Sequence, residues 1–201
     1  MEDGFEVIVK IPYTSTVPKH YATASEVATL TFLRSKGLPV PQVYGWSSKS
    51  SENDVGVEYI IMQRAPGIGL DTRWFDMTMG QNRDLVSNYV DIETKLFAIP
   101  FGSYGSIYFK DDVPPDLQAP LYRPGTLNDT GDTERFCIGP IADYMFWYGR
   151  RAQLPIHRGP CKRSSRFFKP QLIPPRERSF RLSALRRTPR SCLDFPVRKA
   201  S

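Results

Sequence analysis

The run Phe5 to Tyr13, FEVIVKIPY, sets a lysine among residues built for burial. In an extended chain, alternation puts Phe5, Val7, Val9 and Ile11 on one face and Glu6, Ile8 and Lys10 on the other. The first face is wholly apolar and is expected against a core. The second must accommodate an ammonium. Either the Lys10 stem snorkels to water, or the charge is held over a cleft that receives an anion. Glu26, in TASEVATLTFLRSKG, falls in the first turn of the next predicted helix. Thr23-x-x-Glu26 also fits a capping box, in which the glutamate would return a hydrogen bond to the Thr23 backbone. Leu30 and Leu33 share a helical face with Glu26, which favours a carboxylate turned inward.

Other reactive side chains point to less. His20 and His157 have neither metal-ligand spacing nor an acidic neighbour in sequence, so no catalytic role is assigned to either. Cys137, Cys161 and Cys192 are odd in number and lack CxxC spacing. They fit a reducing, intracellular compartment and argue against a disulfide framework or a zinc site. Residues 161–201 hold twelve basic and two acidic side chains, a net +10. Fifteen basic and nineteen acidic residues leave 1–160 at −4, which together give the +6 of the whole chain. The basic pI therefore belongs to the tail, and it is no nucleic-acid footprint of the preceding residues.

The elements that must position Lys10 and Glu26 follow from pattern. A helix is predicted over about 24–36, with Gly37 suited to the C′ position. LPVPQVYGWSS admits Pro39 and Pro41 only at a strand's start or edge. VEYIIM, 57–62, is a β run ended by the turn Gln63-Arg64-Ala65-Pro66-Gly67. Leu85, Tyr89, Ile92 and Leu96 mark an amphipathic helix over about 83–98. Residues 106–109 suit a short strand, and 111–135 read as a long loop. The aromatic-rich segment 136–148 is expected to pack rather than to cage a ligand. Asp3-Gly4 is a hairpin turn signal with almost no chain before it. No stretch approaches the length of a membrane span, and no secretory signal is seen. The tail is rich in Arg, Ser and Pro without periodicity, which predicts disorder.

A strand lysine, a helix with an early glutamate, two strands and a proline turn form the layout of a kinase-like ATP lobe. VIVK at 7–10 resembles the VAIK of kinases, and MQRAPG at 62–67 resembles their hinge. SEVATLTFLRSKGLPVPQVYGW is similar to the corresponding stretch of the aminoglycoside phosphotransferase and choline kinase-like superfamily. With YGSIYF, FCIGP, FWYGRRA and IHRGP, residues 1–160 resemble its fungal branch, which includes the altered-inheritance-of-mitochondria proteins. The fold so implied is α+β. It comprises a partial ATP-binding lobe over 1–66 (antiparallel strands plus one helix), the start of a helical second lobe over 67–160, and a disordered basic tail over 161–201.

The resemblance also implies roles. Lys10 would contact the α- and β-phosphates of ATP and pair with Glu26. Ile8 would pack on adenine, and Met62 would narrow the back of the pocket. Gln63 would offer a backbone carbonyl and Ala65 a backbone amide to the adenine edge. ATP with Mg2+ is the implied cofactor, a small-molecule hydroxyl the implied acceptor, and mitochondria the implied location. Phosphoryl transfer further needs a carboxylate that orients the attacking hydroxyl, and ligands for magnesium. The chain has no His-x-Asp, and Asp194-Phe195-Pro196 departs from DFG by its proline. The glycine-bearing hairpin over the phosphates would precede Met1. The expectation is a phosphotransferase relative that lacks catalytic and metal-binding loops and is inactive as given. The alternative is a pseudokinase-like binding module whose basic tail engages RNA or an anionic membrane.

Overall fold

A computed structural model of the chain describes residues 6–127 and 130–161, all within one compact unit. The tail beyond residue 161, with its predicted disorder and anion binding, and the Asp3-Gly4 turn lie outside the described residues. Three strands form an antiparallel sheet in the order β1 (Val7–Lys10), β3 (Tyr59–Gln63), β2 (Val43–Ser47). Ile8 stands opposite Met62, and Lys10 opposite Ile60. Trp46 of β2 also faces Ile60, and the register slips between Val43 and Gly45.

Helix α1 (Tyr21–Ser35) covers one face of this sheet. It begins three residues before the predicted start. Val27, Ala28 and Phe32 are wholly buried, as is Ile60 beneath the helix. Gly37, at φ 74°, ends the helix: its N–H donates to the Arg34 carbonyl and the Leu38 N–H to the Leu33 carbonyl. That pair of bonds is the Schellman closure that a left-handed residue permits.

The expected core face of β1 is corrected here. Lys10 reaches Glu26 on α1, so the face of Ile8, Lys10, Ile60 and Met62 is the one under the helix. Val9 is 54 % exposed and Ile11 58 % exposed on the opposite side. No described element covers that side, and apolarity alone cannot say which face of a strand a helix will take.

A hairpin of β4 (Ser106–Phe109) and β5 (Phe136–Gly139) packs on α1 from its other flank. Between the two lies α3 (Asp132–Arg135). Ala28 and Phe32 join Ala119, Leu121, Tyr122, Phe136 and Ile138 in one buried cluster. Rings link the layers: Phe32 meets Phe136 edge-on at 5.5 Å, Phe136 stacks on Phe109 at 5.1 Å, and Phe109 stacks on Trp46 at 5.9 Å. The core thus crosses the boundary expected at residue 66. The predicted loop 111–135 also does more than connect, since Val113, Ala119, Leu121 and Tyr122 are buried within it.

Helix α2 (Met79–Phe97) starts on a capping box, with Thr78 and Gln81 bonded reciprocally. It buries no residue fully, and Tyr89 and Val90 of its apolar stripe stay exposed. The aromatic segment expected to pack does so only in part: Phe136 is buried in β5, whereas Tyr144, Met145 and Tyr148 beyond it are exposed. Arg158 lies 4.5 Å over Trp147 and donates to the carbonyls of Phe146, Arg151 and Ala152. No helix among the described residues is long and apolar enough to cross a membrane.

Candidate functional site

Lys10 ends β1, and Glu26 sits on the second turn of α1. The Lys10 ammonium donates to both Glu26 carboxylate oxygens at 2.6 Å. The capping-box alternative is excluded, because α1 starts at Tyr21 and the Thr23 hydroxyl donates to Glu58 at 2.6 Å. The side chains are 47 % and 36 % exposed. Water screens such a pair, so it adds little to stability. Its consequence is positional: the ammonium is steered to the helix side of the sheet edge while remaining open to a further anion.

Apolar surface adjoins this charge. Ile8 and Met62 face each other across β1 and β3, and Ile8 is exposed. Gln63 closes β3. Its N–H donates to the Gln42 carbonyl at 2.7 Å, and its side-chain oxygen accepts from Arg34 and from the Gln42 N–H. Ala65 follows in exposed chain. Arg64, between them, donates to Glu6 at 2.6 Å and so ties the end of β3 to the start of β1. Lys10 and Glu26 are therefore in contact, Ile8 and Met62 are neighbours on the same face, and Gln63 and Ala65 stand at one end of the same sheet.

Such a site can bind an anion beside an apolar plane. Among the described residues no three His, Cys, Asp or Glu side chains converge to hold a metal ion.

Two further polar clusters escaped sequence reasoning. The His20 ring lies between the Ser48 hydroxyl and the Asp112 carbonyl, both at 2.8 Å. A cavity of about 590 Å³, lined in part by His20, Tyr21, Lys49 and Asp112, opens beside it. Burial raises the Asp112 carboxyl above its ordinary pKa, with His20 acting against that rise. At the other end of α1, Lys36 bonds Asp132, which also accepts from Tyr122. A cavity of about 480 Å³ borders this pair. Apart from Tyr122, ten residues from Asp132, the partners stand 28 to 96 residues apart in sequence, so no spacing rule could have paired them.

No family model matches this chain, and no solved structure does. Curated relatives do. A subtelomeric hrmA-associated cluster protein of Aspergillus fumigatus is 42% identical over 162 residues, which is 80% of this chain and 30% of that protein. Altered inheritance of mitochondria protein 9, mitochondrial, of Candida tropicalis is 32% identical over 155 residues, 73% of this chain and 25% of the relative. The protein of that name in Yarrowia lipolytica is 29% identical over 177 residues, 83% and 30% respectively. The chain spans under a third of the length of each of these three. These matches support the fungal altered-inheritance-of-mitochondria branch as the kin of this chain.

Proposed function

We propose that this chain carries the nucleotide-binding part of an ATP-dependent, kinase-like phosphotransferase relative, and that by itself it binds rather than transfers. One observation carries the reading: a strand lysine and a helix glutamate, sixteen residues apart, meet at 2.6 Å beside exposed apolar side chains. On this reading Lys10 neutralises charge on the α- and β-phosphates, and Glu26 keeps the ammonium from swinging into solvent. Ile8 and Met62 flank the adenine. The backbone at Gln63 and Ala65 supplies the polar contacts that orient its edge.

Transfer to a small-molecule hydroxyl needs a carboxylate placed to take the hydroxyl proton. The sequence has no His-x-Asp to supply it in the usual loop. ATP would bring the transferable phosphoryl group, and these residues would hold and orient it. A mitochondrial location is part of the proposal and is supported by the names of the relatives.

Titration of the 201-residue chain with a fluorescent ATP analogue tests this. Lys10→Ala is expected to weaken binding about tenfold or more, the loss of one charge-assisted contact. Equal affinity in the variant would remove the central contact of the reading. Phosphate release or transfer that depends on Lys10 would overturn the claim that the chain does not turn over.

A further inference from the structure

His20 opens α1 with φ 62° and ψ −59°. The Tyr21 N–H donates to the Lys19 carbonyl at 2.7 Å. A bond from residue i+2 to residue i around a central residue of positive φ defines the strained, uncommon form of γ-turn. Any side chain with a Cβ is disfavoured there, and such backbone persists only where its surroundings over-determine it.

The surroundings do so at His20. A carbonyl can only accept, so Nε2 carries the proton and donates to Asp112 at 2.8 Å. In the neutral ring Nδ1 then accepts from the Ser48 hydroxyl at 2.8 Å. The His20 N–H donates to one oxygen of Glu58 at 3.1 Å, while Thr23 donates to the other at 2.6 Å. Ser48 follows β2, Glu58 precedes β3, and Asp112 closes the turn after β4. One residue therefore ties the start of α1 to both sheets. Asp112 also lines the cavity beside it, and one buried oxygen of its carboxyl group has no hydrogen-bond partner among the described residues.

We propose that His20 is a strained latch: its imidazole, bridging Ser48 and Asp112, holds the first turn of α1 in place and so keeps Glu26 within reach of Lys10. Breaking either ring bond lets the turn relax toward an ordinary helical start, with negative φ, and frees the beginning of α1 from the sheets. Only the consequence for Lys10 rests on the nucleotide reading. The latch itself stands on the turn and its four bonds.

Amide hydrogen exchange on the full chain, read beside binding of the ATP analogue, tests it. Glycine adopts this turn without a Cβ penalty, so His20→Gly isolates loss of the ring. Exchange at Ala22, Ala24 and Ser25 should become about tenfold faster or more, with Ile107 and Ile138 in the hairpin unchanged. Ser48→Ala should produce a smaller change at the same amides. If His20→Gly fails to fold, Ser48→Ala decides: faster exchange confined to the start of α1 supports the latch, and wild-type exchange there overturns it. A uniform loss of protection in a folded variant also overturns it, since that is ordinary destabilisation. A loosened α1 in His20→Gly with no ATP binding by the wild type would leave the latch standing and remove the nucleotide reading. ATP binding by the wild type with unaltered α1 exchange in both variants would do the reverse.

Discussion

Asp132 accepts three hydrogen bonds on one buried oxygen: from Lys36, from Tyr122 at 2.7 Å and from Thr130 at 2.5 Å. Burial works to raise its pKa, but the bonds from Lys36, Thr130 and Tyr122 outweigh it and hold the carboxyl below its ordinary value. For Lys36 burial works downward, and the bonds to Asp132 and Tyr122 outweigh it, holding the ammonium above its ordinary value. The signs set a window. The Asp132 contribution is complete above the unfolded carboxyl pKa of about 3.9 and is lost as pH falls through the lower folded value. The Lys36 contribution is complete below the unfolded pKa of about 10.4 and is lost as pH rises through the higher folded value. Removing one partner of a buried pair costs about 3–5 kcal/mol, and the partial exposure of Lys36 puts Lys36→Met near the lower figure. Urea unfolding should show this gap at neutral pH and a smaller gap at pH 3, where protonated Asp132 is no longer an unpaired charge. An equal gap at both would mean that the variant lost packing rather than a charge partner. Nothing local in sequence announces this pair, whereas strand and helix patterns framed Lys10 and Glu26 and the family resemblance paired them.

At the scale of elements, α1 was readable from its apolar spacing and from Gly37, but its start was not. Thr23 and Glu26 have the types and spacing of a capping box, yet the first serves Glu58 and the second serves Lys10. Competition from partners 35 and 16 residues away decides such a case. The C-terminal end is local, and its energetics can be argued from backbone alone. An added Cβ at Gly37 would meet nothing within 4 Å, so the cost of Gly37→Ala is the left-handed backbone itself, about 1 kcal/mol. A urea midpoint equal to that of the wild type would show that the Schellman turn rearranges without cost. Helix α2 was placed by its period, but no residue of its stripe is fully buried. A hydrophobic period reports that a face can be buried, not what will bury it.

For the molecule as a whole, α1 is the element both sheets share. Phe136 lies at the junction, edge-on to Phe32 and stacked on Phe109, with Arg135 5.2 Å over its ring. Phe136→Ala should cost about 3–5 kcal/mol, transfer and cavity together. Loss of the aromatic chain from Phe32 to Trp46 should also alter near-ultraviolet circular dichroism around Trp46. Retention of full stability would mean that the hairpin is a satellite of the core rather than part of it.

Sequence alone was enough to place the β-rich first segment, two of the helices and the β4 strand, because each rests on a local period or a local turn residue; the pair Lys10 and Glu26 came through the family resemblance. It also located the abrupt change of composition near residue 161. Tertiary structure decided which face of β1 meets α1, where α1 begins, that 99–139 share its core, and that His20 and Asp132 are hubs. Those outcomes depend on side chains brought together from distant positions, where the free energy of a contact belongs to neither partner's sequence neighbourhood.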